Sequence, residues 1–247
     1  MTLRMLPFSM RLFPRAPFFA FLLLAHSFLS AAADDKPHNF DKWEPEIAAF
    51  EKADQTEPPP KGAIVFIGSS SIRKWKTLAE DFPYHRVINR GFGGSAIIDS
   101  VHFADRIVIP YAPRLVVLYA GGNDINAGKT PEQVFADFQA FAELVRGKLP
   151  DADLDYIAIA GNPARWAQVD RVRAANSKIE AFIEGKPHLK FINVFPQMLG
   201  SDGQPIPEIF GPDRLHMNPA GYKLWTNIIL PLLPPPDRRN DEMTKSE

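Results

Sequence analysis

The chain has 247 residues, 45% of them hydrophobic, with 28 basic and 29 acidic side chains for a formal charge of −1. That length and apolar content suffice for one sizeable core, and the near-neutral balance without a dense basic run argues against nonspecific nucleic-acid binding. The absence of cysteine excludes disulfides, a thiolate nucleophile and cysteine-linked lipid.

At the amino end, Arg4, Arg11 and Arg15 precede the apolar run Pro17 to Ala25, and Ala31-Ala32-Ala33 follows. A basic start, an apolar stretch and a small-residue cleavage site predict a secretory signal peptide over residues 1–33, cut after Ala33. The apolar portion is short for a membrane span and His26 interrupts it, so no stable membrane insertion is expected after cleavage. The expected location is secreted or periplasmic. Removing these residues takes away three basic and no acidic side chains, leaving 25 against 29 and a charge of −4.

Residues 34–61 read as an amino-terminal arm and linker: an amphipathic helix over Trp43 to Lys52, stopped by Pro58-Pro59-Pro60. Residues 62–233 form the main domain. Apolar strands are predicted at Ala63 to Ile67, Arg86 to Asn89, Leu115 to Tyr119, Asp155 to Ala160 and Lys190 to Val194. Helices are predicted at Ile72 to Asp81, Ser100 to Ile109, Pro131 to Leu149, Gln168 to Glu184 and Ala220 to Leu230. The alternation of strand and helix predicts an α/β fold with a parallel sheet covered on both faces. Residues 234–247, three prolines and a charged run, read as a disordered tail.

Ser70 stands just past the first strand, and Asp213-Arg214-Leu215-His216 lies near the far end. A serine hydroxyl is a poor nucleophile until a base takes its proton, and a serine, histidine and carboxylate set provides that base and its orientation. If residues 213–216 turn helically, Asp213 and His216 lie on one side, so the carboxylate reaches one imidazole nitrogen while the other faces the serine. Glycine-bearing loops follow the second and third strands. The Gly94 N–H and the Asn123 amide are placed to join the Ser70 N–H as an oxyanion hole. Adjacent Ser69 and Ser71 are expected to cap or bond locally.

These residues resemble the SGNH hydrolases, also called the GDSL-like esterase and lipase family: Ser70, Gly94, Asn123 and His216 match its four naming residues in order, and Asp213 its Asp-x-x-His block. Where the family commonly has Gly-Asp-Ser-Leu, this chain has Gly68-Ser69-Ser70-Ser71-Ile72. The resemblance implies a flavodoxin-like three-layer α/β/α sandwich with a five-stranded parallel sheet. It also implies Ser70 as nucleophile, His216 as base, Asp213 as its partner, and Ser70, Gly94 and Asn123 as oxyanion donors. Hydrolysis of a carboxylic ester through an acyl-serine follows, on an acetyl ester or acetylated carbohydrate. A lysophospholipase or thioesterase, or a noncatalytic carbohydrate-binding protein, is the alternative.

Asn162 and Trp166, after the fourth strand, are read as substrate contacts, against the plainer roles of turn and packing residue. Trp75, Tyr84 and Phe92 are weighed as pocket aromatics against core or rim packing. No cofactor is expected. Gly91 to Ala96 superficially fits a dinucleotide fingerprint, but the next strand ends without an acidic residue for a ribose. Asp213 and His216 alone do not close a metal site. The partner is a small-molecule or carbohydrate ester, and oligomeric state is not legible.

Overall fold

The computed structural model describes Thr2 and residues 38–236. The signal-peptide reading of residues 1–33 and the charged end of the tail therefore lie outside the described residues, apart from Thr2.

Five strands, β1 (Ile64–Gly68), β2 (Val87–Gly91), β3 (Leu115–Tyr119), β4 (Asp153–Ile157) and β5 (Leu189–Ile192), form one all-parallel sheet in the order β2-β1-β3-β4-β5. This is the flavodoxin-like order expected, and it creates a topological switch point between β1 and β3, where ligands bind at the carboxyl ends of the strands. The central strands read as continuous apolar runs because both faces are covered: every residue of β1 is buried.

One face packs against α1 (Glu44–Thr56), α4 (Ile97–Ile107), α6 (Pro131–Lys148) and α7 (Val169–Ile183), burying Ile67, Leu118, Phe103, Phe138 and Ile179. The other packs against α2 (Ser70–Arg73), α3 (Leu78–Asp81) and α8 (Pro219–Ile229), burying Phe66, Val117, Trp75 and Trp225. A further short helix, α5 (Gly122–Asn126), follows β3. No described helix is long and apolar enough to cross a membrane.

The arm helix runs from Glu44 to Thr56 rather than from Trp43 to Lys52, and it belongs to this core through Trp43 and Ile47. Arg106 on α4 donates to Glu51 (2.8 and 2.7 Å) and Glu44 (2.7 and 2.9 Å), and Arg90 on β2 pairs with Asp54. These forks tie α1 to the first half of the sheet.

Four expected elements differ in their bounds for identifiable reasons. The helix read over Ile72 to Asp81 is two short helices, because Asn89 Nδ2 donates to the carbonyls of Ile72 (2.7 Å) and Trp75 (3.3 Å) and so satisfies acceptors that a continuing helix would use. The helix expected from Ser100 begins at Ile97, where Asp99 accepts from the Ala96 N–H at 2.7 Å and caps the start. β4 and β5 each sit earlier than predicted, at 153–157 and 189–192. The apolar residues 158–160 and 194 beyond them are buried after the ladder has ended, and apolar character alone does not mark where pairing stops.

Candidate active site

β1 ends at Gly68, whose φ of 139° and position leave no room for a side chain: a Cβ there would lie 2.0 Å from the Tyr119 carbonyl oxygen. That close approach lets the Ser69 N–H donate to the same oxygen at 3.0 Å. The chain then turns abruptly into α2 with Ser70 as its first residue. The Tyr222 hydroxyl of α8 donates to the Ser71 carbonyl at 2.9 Å, fastening this turn to the last helix.

Ser70 Oγ lies 2.8 Å from His216 Nε2, and His216 Nδ1 lies 2.6 Å from Asp213 Oδ2. The Asp213 carboxyl is held well below the usual carboxylate range, first by the bond from the His216 side chain, then by the His216 and Leu215 backbone N–H groups, each at 3.0 Å from Oδ1. An ionised Asp213 can only accept, so Nδ1 carries the imidazole proton. Nε2 is then left with a lone pair facing the serine hydroxyl.

The segment carrying acid and base is a turn rather than the helical turn expected. Arg214 has a left-handed φ of 57°, and the two backbone donors wrap around Asp213. A carboxylate that accepts from residues just ahead of it stabilises such a turn without a helix.

Lys74 Nζ stands 3.0 Å from His216 Nδ1 and 3.9 Å from Asp213 Oδ2. Since Nδ1 donates to Asp213, the ammonium contributes charge beside the carboxylate. With both side chains 48% exposed, that pairing is worth at most about 1 kcal/mol.

Asn123 opens a second wall. Its Nδ2 donates to the Ser95 carbonyl at 3.0 Å, and its Oδ1 accepts from Arg165 Nη1 at 3.0 Å. One amide hydrogen is thus committed and the other remains. Next to it, fully buried Asp124 accepts from the Ile97 N–H at 3.3 Å and from Lys129 Nζ at 3.0 Å. Burial pushes the Asp124 carboxyl up and Lys129 opposes this. Through Asp124 the Asn123 loop is locked to the start of α4, and so to the loop that carries Gly94.

A small cleft of about 40 Å³ is lined by Ser70, Tyr119, Asn123, Asn162, Arg165 and His216, among others. It sits where β1 and β3 diverge, the switch point of the sheet. Asp213 stands behind His216. Gly94 is exposed, has a φ of 79° and is not among the lining residues. Among the described residues neither the Ser70 nor the Gly94 N–H has a protein acceptor. Larger hollows of about 460 and 500 Å³ occur elsewhere, along the β2 and β5 edges, away from these groups.

The arrangement is that of an ester-cleaving hydrolase, and comparison with known proteins agrees. The model of the GDSL-like Lipase/Acylhydrolase family matches residues 62–224. The chain belongs to this family. A stretch of 182 residues of this GDSL-like hydrolase is 28% identical to platelet-activating factor acetylhydrolase IB subunit alpha1 of Bos taurus, covering 69% of this chain and 73% of that one. Its fold is similar to that of a GDSL-like lipase from Bacteroides thetaiotaomicron (TM-score 0.63, 22% identity, 78% of this chain and 96% of that one). It is also similar to that of an acetyl-xylooligosaccharide esterase from Geobacillus Stearmophilus (TM-score 0.55, 15% identity, 70% and 94%).

The remaining sequence candidates scatter in this hydrolase. Asn162 lines the cleft, and its Oδ1 accepts from the Arg165 N–H at 3.0 Å, which starts the following turn. Trp166 is not in the lining; its ring stacks on Phe195 with centroids 6.4 Å apart and has Arg173 over its face. Trp75 and Phe92 are buried in the two core layers, and Tyr84 is exposed. Arg165 and Lys74 were not singled out by sequence. A charged residue within the loop just past a strand end, as in Asn162-Pro163-Ala164-Arg165, was the available signal for the first.

Proposed function

We propose that this GDSL-like hydrolase is an exported serine esterase that removes a short acyl group, acetyl above all, through an acyl-serine intermediate and without a cofactor. The observation that carries the reading is the unbroken chain from Ser70 Oγ through His216 to Asp213, at 2.8 and 2.6 Å.

In this mechanism His216 Nε2 takes the Ser70 proton as Oγ attacks the ester carbonyl, and Asp213 stabilises the imidazolium that forms. Negative charge gathers on the carbonyl oxygen. The Ser70 N–H, the second hydrogen of Asn123 Nδ2 and the Gly94 N–H are its donors, and such groups act most strongly on the transition state. His216 then gives its proton to the departing alcohol oxygen. Water, deprotonated by the same nitrogen, attacks the acyl carbon, and the C–O bond to Ser70 breaks to release the acid.

The cleft is lined mostly by polar groups, from Ser69, Ser70, Ser71, Asn123, Asn162, Arg165 and His216, and such a lining favours a short acyl group over the long apolar chain of a lysophospholipid. The acetylhydrolase and acetyl esterase names among the similar proteins point the same way. Export rests on the basic, apolar and small-residue pattern of residues 1–33.

Labelling with a fluorophosphonate, followed by peptide mapping, tests the reading directly. The label is expected on Ser70 alone, and a folded protein that takes none there contradicts it. Asn123→Ala is expected to lower kcat on p-nitrophenyl acetate about 10²-fold with little change in KM, since the lost donor acts on the developing oxyanion. Steady-state kinetics on the purified variant checks this.

A further inference from the structure

Arg165 is a cation in the cleft without a counterion among the described residues. Its Nη1 donates to Asn123 Oδ1 at 3.0 Å and to the Gly122 carbonyl at 3.3 Å, both neutral acceptors. Its Nε and Nη2 make no hydrogen bond to a described residue, and neither is a buried orphan. The lining of the cleft includes no carboxylate, and Asp213, the acid nearby, is committed to His216 and the turn. Partial burial lowers the proton affinity of the guanidinium from the usual arginine range, opposed only by the Tyr119 phenol. Proteins rarely leave a partly desolvated charge unpaired, because the cost of desolvation is recovered only through a partner.

A further cation, Lys74, stands at the same mouth beside His216. The guanidinium is the side chain suited to planar, two-point recognition of a carboxylate.

We propose that Arg165 is a specificity residue that binds a carboxylate on the alcohol part of the ester while its Nη1 holds Asn123 in place. The proposal rests on the esterase reading above. The carboxylate belongs on the alcohol part because an acetyl group, the acyl part of the proposed substrate, has no atom to carry a second charge. Nη1 is occupied by Asn123 and Gly122, so the free Nε–Nη2 edge receives the anion. The natural substrate class is then an acylated hydroxy acid, an acidic sugar included.

The test compares two esters of equal shape, meta-acetoxybenzoate and the neutral meta-acetoxybenzamide. Binding is first measured by calorimetric titration on Ser70→Ala protein, so that affinity is read without turnover. The carboxylate is expected to bind at least about 10-fold tighter, with the preference shrinking as salt screens the charge. Arg165→Gln in the same background is expected to erase the preference, and Arg165→Lys to restore part of it. In otherwise wild-type protein, Arg165→Gln should lower kcat/KM for both esters through Asn123, with a further loss of about 10-fold for the anionic one alone. Equal affinity for the two esters, or an equal loss on both, overturns the proposal and leaves Arg165 a positioning residue. Absence of fluorophosphonate label on Ser70 strikes the esterase reading instead, so the two failures are distinguishable.

Discussion

Ser70→Ala is expected to lower turnover of p-nitrophenyl acetate by about 10³-fold or more while leaving the melting temperature within a degree or two of wild type. The size of the effect follows from the chemistry. Without Oγ no acyl-enzyme forms, and what survives is the modest rate a bound ester gains from the oxyanion donors acting on attack by water. The small effect on stability follows from the surroundings. Ser70 Oγ has one side-chain partner, His216 Nε2, and the turn is held by groups the substitution does not touch: Gly68 against Tyr119, the Ser69 N–H and the Tyr222 hydroxyl. His216 keeps its bond to Asp213. Kinetics and a thermal melt on the same preparation separate the two effects. Ser69→Ala serves as a control, because Ser69 anchors the turn through its backbone N–H and carbonyl. Activity in folded Ser70→Ala equal to wild type would reject the nucleophile.

The parts of this site that could be read from sequence are those fixed by local chemistry. A serine at the end of an apolar run marks the end of β1, because that run fills the middle of a sheet covered on both sides. Asp213 and His216 are three apart, and any compact turn brings them together, so their pairing is legible in the sequence whether or not the turn is helical. Strand order came with the family resemblance, since periodicity shows only that a segment is buried. What stayed hidden depends on distant segments meeting. Arg165 reaches Asn123 across more than forty positions of chain, and its lack of a counterion among the described residues exists only in three dimensions. Asp124 is bonded to the start of α4 and to Lys129, the first of these a contact between segments far apart along the chain. Trp166, read as a substrate contact against the plainer role of packing, stacks on Phe195, because an aromatic side chain past a strand end serves either role.

The buried carboxyl of Asp155 sets a limit on stability that a single substitution should lift. It sits in β4 with a side chain 2% exposed, facing the α8 layer, and its Oδ2 has no hydrogen-bond partner among the described residues. Burial pushes its pKa up to about 7, against the pull of Lys190 at 3.8 Å, with Asp153 adding to the rise. The sign is fixed by which state binds the proton. Between the unfolded value near 3.8 and the folded value near 7, the native protein holds a proton that the unfolded chain has released. Stability contributed at this position is therefore greatest below pH 4 and falls as pH rises towards 7, by about 4 kcal/mol at most. Asp155→Asn keeps the shape without the charge. At pH 8 it is expected to melt about 5 °C or more above wild type, while near pH 4 the two proteins should differ little. Lys190 tolerates the change, since it is half exposed and its Nζ already donates to the Leu232 carbonyl at 2.8 Å. Melting curves of both proteins from pH 4 to 8 decide the matter: a difference that does not grow with pH means that the cost of charging Asp155 is met by Lys190, and that the pair, not the isolated acid, is what the core holds.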